Sequence, residues 1–122
     1  MGIRFLTGNS FPLNLIRRPV RIEPETLDHY REQLRESEWE SYWGHVNTLS
    51  VVKAITGNDL TPQKSRPALE LDAEGYPTLW GKTYRECWVL SPDYEKGYRP
   101  GLKEEVEADR IQSWQVLRIM WE

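Results

Sequence analysis

The spacing of apolar residues changes several times along this chain, and each change predicts an element. Ile3 to Thr7 reads as a short first strand that runs into Gly8-Asn9-Ser10, a turn cluster exposing backbone N–H groups at the strand's end. Pro19 to Glu23 alternates, with Val20 and Ile22 inward and Arg21 outward, which predicts a half-buried strand. Pro24 suits the first turn of a helix. Leu27, Tyr30 or Arg31, and Leu34 then recur at helical spacing, predicting an amphipathic helix from about Pro24 to Arg35.

Trp39, Ser41 and Trp43 alternate with Glu38, Glu40 and Tyr42, a strand pattern leading into Gly44-His45. Asn47 is placed to cap a second helix that carries Leu49, Val52 and Ile55 on one face and stops before Gly57. Pro62 to Arg66 reads as a loop. Ala68 to Leu71 and Tyr76 to Lys82 predict a hairpin around Ala73-Glu74-Gly75, and Trp88 to Leu90 a further short strand. Ser91-Pro92 reads as a cap and first turn opening a surface excursion at about 91–101. Leu102 to Asp109 predicts a short acidic helix, and Ser113 to Trp121 a closing strand. With no repeat and no linker, residues 1–122 read as a single α/β (α+β) domain.

Composition narrows the function classes. A chain of 122 residues can bury a continuous core without disulfide or metal staples. Its one cysteine, Cys87, allows no intrachain disulfide and no Cys-rich metal site, and suits a small buried filler. The start lacks the features of a signal peptide and no apolar run is long enough to span a bilayer, so an intracellular protein without membrane partner is expected. A net charge of −3 argues against a general nucleic-acid binder, so any polyanion must meet a local site. Two isolated histidines and scattered carboxylates give no metal-ligand spacing, and neither metal nor cofactor is expected.

The segment with most chemistry is Gly44-His45-Val46-Asn47-Thr48, which sets an imidazole at the junction of a strand and a helix start. Such a start presents unpaired N–H donors and partial positive charge, which suit a phosphate. Two other readings stand beside it: His45 as a partly buried residue bonded to backbone, and Asn47-Thr48 as a cap and nothing more. His29 falls near the polar side of the first helix and reads as a surface residue. Arg66, Lys82 and Arg85 are cations that hairpin geometry brings toward one another, although surface ion pairs explain each of them singly.

Phe5-Leu6-Thr7 with Asn9, Phe11-Pro12-Leu13-Asn14, Gly44-His45-Val46-Asn47-Thr48 and Lys64-Ser65-Arg66, in that order, resemble the viral ring nuclease family. Those proteins are type III anti-CRISPR dimers, with a mixed sheet flanked by helices, that bind and cut cyclic tetra-adenylate. The resemblance implies that His45 is the catalytic histidine, Asn9 and Asn14 are polar contacts of the ligand loop, and Arg66 binds phosphate; Ser10, Asn47 and Thr48 flank those positions. Arg85-Glu86-Cys87-Trp88-Val89-Leu90-Ser91 departs from the family pattern by setting the arginine next to the glutamate, so Arg85 or Lys82 takes the arginine's role and Glu86 keeps its own. Pro12 stands where many relatives carry a serine.

From the resemblance follow further expectations. The partner is a cyclic oligonucleotide, held by a homodimer in a host cell's cytoplasm, and cleavage leaves 2′,3′-cyclic phosphate ends without metal. Two alternatives are a sponge that sequesters the ring uncut and a nucleic-acid-binding viral regulator. Six tryptophans against two phenylalanines suit either a heavily packed core or faces on which flat rings stack; any left over from the core, Trp39, Trp43 and Trp88 first, are candidates to cover an interface or stack on adenines, and the alternative is that all six are core in a monomer.

Overall fold

The computed structural model describes residues 4–44, 46–64, 67–101 and 104–122. Its centre is a five-stranded sheet ordered β2-β8-β7-β1-β3, from β1 (Arg4–Gly8), β2 (Val20–Glu25), β3 (Glu38–Ser41), β7 (Glu86–Tyr94) and β8 (Ile111–Trp121). β1 runs parallel to both β3 and β7, whereas β8 lies antiparallel to β7 and to β2, so the sheet is mixed. Helix α1 (Leu27–Glu36) links β2 to β3 across the sheet, and α2 (Leu49–Thr56) follows β3. A small antiparallel sheet of β4 (Glu70–Leu71), β5 (Pro77–Leu79) and β6 (Lys82–Thr83) completes an α+β domain.

Strand periodicity sorts the side chains into two cores. Phe5, Trp88, Leu90 and Val116 face the helices and pack with Tyr30, Leu34 and Val52. Leu6, Cys87, Val89 and Ile119 face the opposite way and pack with Tyr76, Leu79 and Tyr84 of the small-sheet segment. Thr7 lies on the helix side with no exposed surface, its Oγ1 donating to the Trp88 carbonyl and lying 2.6 Å from the Tyr30 hydroxyl. Burial pushes the Tyr30 phenol up, against the opposing hydrogen bond with Thr7.

Several expectations are corrected. Pro24 sits inside β2, paired with Leu117, and not in a helix; β2 is an edge strand, where a residue without N–H is tolerated. Ile22 in that strand is half exposed rather than inward. α1 begins only after Thr26, whose Oγ1 accepts the His29 N–H, and its buried face uses Tyr30 rather than Arg31. Asn47 does not cap α2. It sits in a 3-10 turn, Val46–Thr48, that precedes the helix, and Gly57 ends α2 with φ 77°. Ser91 to Tyr94 extend β7 and are not the start of an excursion. The described residues between 104 and 107 form no helix, and a single 3-10 turn, Ala108–Arg110, leads into β8.

Candidate functional site

Because β1 and β3 are parallel neighbours, the loops leaving their C-terminal ends emerge together, the usual ligand edge of such a sheet. They are fastened to each other. The Gly44 N–H donates to Asn9 Oδ1 at 3.1 Å, and the Tyr42 hydroxyl donates to the Ser10 carbonyl at 2.6 Å. From the other flank, the Ser91 hydroxyl of β7 donates to the Asn9 carbonyl at 3.0 Å. Asn9 is therefore held through side chain and backbone by two different elements.

Two cavities meet at Asn9 and Ser10. One, about 300 Å³, is lined by these two with Gly44, Tyr42, Leu15 and Leu69 among others; the second, about 240 Å³, by these two with Thr48, Pro92 and Tyr94. The first is bordered mainly by apolar groups, and neither has a charged side chain in its described lining.

The sequence-derived candidates divide by position. Asn9 and Ser10 line both cavities, and Thr48 lines the second while its buried Oγ1 accepts the Trp43 indole N–H at 2.9 Å. Asn47 serves a neighbouring strap: its Nδ2 donates to the Gly101 carbonyl and its own carbonyl accepts the Val106 N–H. Asn14 is exposed in the 3-10 turn Leu13–Leu15, where its carbonyl accepts from Arg17 Nε. His45 and Arg66 lie outside the described residues.

Arg85, Glu86 and Lys82 are set apart. Cys87 pairs with Leu6, so Glu86 is level with Phe5, and along β7 it lies five residues before Ser91, whose hydroxyl meets the Asn9 carbonyl. At the rise of a strand that is about 16 Å. Glu86 is buried and ion-paired with Arg118, the Arg85 guanidinium lies over the Tyr76 ring at 4.5 Å, and exposed Lys82 opens β6 opposite Leu79. Within one chain these three do not join Asn9.

Nor do the tryptophans left for interface or stacking lie free. Trp43 and Trp88 are fully buried in the helix-side core, and Trp39 packs against it with its indole N–H donating to the Leu34 carbonyl. The aromatic side chains beside the second cavity are instead Tyr94 and, behind it, Tyr98, which contact edge to face at 5.3 Å. A signal for Tyr94 existed in the sequence: Trp88, Leu90, Pro92 and Tyr94 continue one face of a strand at period two.

Cys87 is buried against the Tyr42 hydroxyl, and burial pushes its thiol up to about 12, against the opposing hydrogen bond with Tyr42. Among the described residues no group of three His, Cys, Asp or Glu side chains is placed to hold a metal ion, and no helix is long and apolar enough to cross a membrane.

No protein-family model matches the chain, and no curated protein matches it in sequence. Among solved structures it is similar to B116 of Sulfolobus turreted icosahedral virus, with a TM-score of 0.59 and 15% identity over 99% of this chain and 100% of that one. End to end, then, the mixed sheet and its helices follow the fold of a small archaeal-virus protein.

Proposed function

We propose that the chain binds and cleaves a cyclic oligoadenylate, with cyclic tetra-adenylate the first candidate, and thereby antagonises CRISPR-type signalling in a host cell. The observation that carries this reading is the bond from the Gly44 N–H to Asn9 Oδ1, which ties the β1 loop to the residue preceding His45 in the chain. Around that bond lie parts of the segments whose order resembles the ring nucleases, Asn9 with Pro12 and Gly44 with Thr48, and two cavities share Asn9 and Ser10. The full-length likeness to a viral fold agrees with it.

The reaction needs little from the protein. In a 3′,5′-linked ring, a ribose 2′-hydroxyl attacks the adjacent phosphorus, the bond from phosphorus to the 5′-oxygen breaks, and a 2′,3′-cyclic phosphate remains. The 2′-hydroxyl gives up its proton to solvent and the departing 5′-oxygen takes one. We assign that donation to His45 as imidazolium, a role worth about 10²- to 10⁴-fold in rate, and the phosphoryl oxygens to Arg66. Asn9 and Ser10 align the ring across the two cavities. Arg85, Glu86 and Lys82 are given no part in the reaction within one chain. A homodimer closed about a dyad sets two copies of this loop pair against one two-fold ring.

Incubation with cyclic tetra-adenylate followed by chromatography tests the reading. Linear products from the wild type, slowed at least tenfold in His45→Ala with binding retained, are the expected result. Intact ring recovered after denaturation makes the protein a sponge, and no retention of the ring removes the reading altogether. Light scattering with titration checks the dimer, for which one ring per two chains is expected.

A further inference from the structure

The second cavity has a composition of its own. Its described lining holds two aliphatic hydroxyls, one carboxamide, a proline ring and a tyrosine ring with its phenol hydroxyl, and no charged side chain. Among the described residues no cation lines it to meet a buried phosphate. A neutral, flat ring with a polar edge fits: Pro92 and Tyr94 offer stacking, and Asn9 and Ser10 offer donors and acceptors.

The Tyr94 ring is also fixed in advance. The ladder between β7 and β8 shifts register at Asp93/Tyr94, where Tyr94 pairs with Ile111 after Asp93 has paired with Ser113. The extra residue, Gln112, lies on β8, so β7 carries Tyr94 on the face that already bears Trp88, Leu90 and Pro92. Behind Tyr94, Tyr98 stands at 78° to it, its hydroxyl accepting the Glu107 N–H at 3.0 Å and its face covered by the Arg110 guanidinium at 4.7 Å. Arg110 is ion-paired in turn with Glu95. The strap is stitched to the helix side by Val106 N–H to Asn47 carbonyl, and by Ser50 Oγ to Glu105. A ring so held loses little freedom when a ligand stacks on it.

We infer that Tyr94, buttressed by Tyr98, is the stacking platform for one nucleobase of the ligand, with Asn9 and Ser10 reading that base's edge or its ribose. The inference rests on the cyclic-oligonucleotide reading above and adds to it the residue that recognises a base.

The test uses the full chain, cyclic tetra-adenylate, and the same ring with one adenine replaced by the fluorescent base 2-aminopurine, whose emission falls on stacking. Tyr94→Phe keeps the π face and is expected to bind within about twofold of wild type. Tyr94→Leu keeps bulk without the π face and is expected to weaken binding roughly 5- to 150-fold, the range for losing one base–aromatic stack. Emission should fall on binding to wild type and Tyr94→Phe, and fall less with Tyr94→Leu. Wild-type affinity and quenching in Tyr94→Leu would overturn the assignment of Tyr94 while leaving the function standing. No binding of either ring by the wild type overturns the function itself. Should Tyr94→Leu not fold, the wild type still decides, because saturable binding with undiminished 2-aminopurine emission excludes the stack.

Discussion

The Tyr42 ring lies directly across Gly8, so that a Cβ on Gly8 would stand 2.5 Å from Cε2 and 2.6 Å from Cζ of the ring. Tyr42 has no easy retreat, being buried, donating to the Ser10 carbonyl, and lying 3.1 Å from the Cys87 sulfur. Gly8 is thus required for the close approach of β1's last residue to the segment after β3. The same contact sets the height of the Asn9-Ser10 loop above the sheet.

Gly8→Ala is accordingly expected to destabilise the fold by about 1–3 kcal/mol, the usual range for overpacking a core. The ring must shift, and the Ser10 carbonyl with it, so ligand affinity should fall too. Introducing Gly8→Ala into a Tyr42→Leu background should cost less than in the wild type. Equal costs in both backgrounds, measured by denaturant titration, would show that the ring is not the obstacle.

Cys87 should behave as an inert thiol. It has no exposed surface, and burial holds its pKa near 12, so at neutral pH almost none is thiolate. Ellman's reagent at pH 8 is expected to modify no cysteine in the native protein and one per chain in denaturant. Rapid modification of the folded protein would contradict the packing between Leu6, Tyr42 and Cys87.

The sequence made long, regular elements legible and misread those whose residues double as punctuation. Leu27, Tyr30 and Leu34 announce α1, and the alternation of Ser113 to Trp121 announces β8, because each side chain's burial follows the period of its own element. Pro92 looked like a stop. Beyond Val89, however, β7 has lost β1 as a neighbour and pairs with β8 alone, so one side of its backbone is open to a residue lacking N–H. Pro24 misled for the same reason on the other edge. At the site, Gly8-Asn9-Ser10 and Gly44 were readable as a turn and a junction, but their bond joins positions 35 residues apart that only the parallel pairing of β1 and β3 brings together. Arg85 and Glu86 adjoin the Leu90-Ser91 motif in sequence, yet an extended strand carries them to its opposite end.

Acid should loosen the β4–β5 hairpin through Asp72. Its carboxylate accepts the N–H groups of Glu74 and Tyr76, each at 2.9 Å, and the Thr83 hydroxyl at 3.4 Å. These bonds, the one from Tyr76 foremost, hold the carboxyl below its ordinary value of 3.8. A depressed folded-state pKa contributes stability in full above the unfolded value and loses it as pH falls through the folded one. The melting-temperature gap between wild type and Asp72→Asn should therefore be constant from pH 7 to 5 and narrow below 3.8. A gap that stays constant into that acid range would remove Asp72 from the account.

Glu86 and Arg118 should separate stability from activity. Arg118 bridges Glu86 and Glu25, the latter at 3.8 Å, and lies over the Trp88 ring at 5.4 Å, while Glu25 also meets His29 Nδ1 at 2.7 Å. Arg118→Met leaves the buried Glu86 without its cation, a loss that costs about 3–5 kcal/mol for a fully buried pair and about 0–1 for an exposed one. With Arg118 partly exposed, roughly 2–4 kcal/mol is expected. Changing both partners, as Glu86→Leu with Arg118→Met, should recover part of that loss, since no lone charge remains. Glu86→Gln keeps an acceptor for Arg118 and should unfold slightly earlier while leaving the proposed cleavage of cyclic tetra-adenylate at the wild-type rate, because β7 sets it about 16 Å from Ser91, the residue that meets Asn9. A folded Glu86→Gln protein with cleavage reduced tenfold or more would return Glu86 to the reaction, and would require that the far end of β7 reach the ring across the proposed dimer.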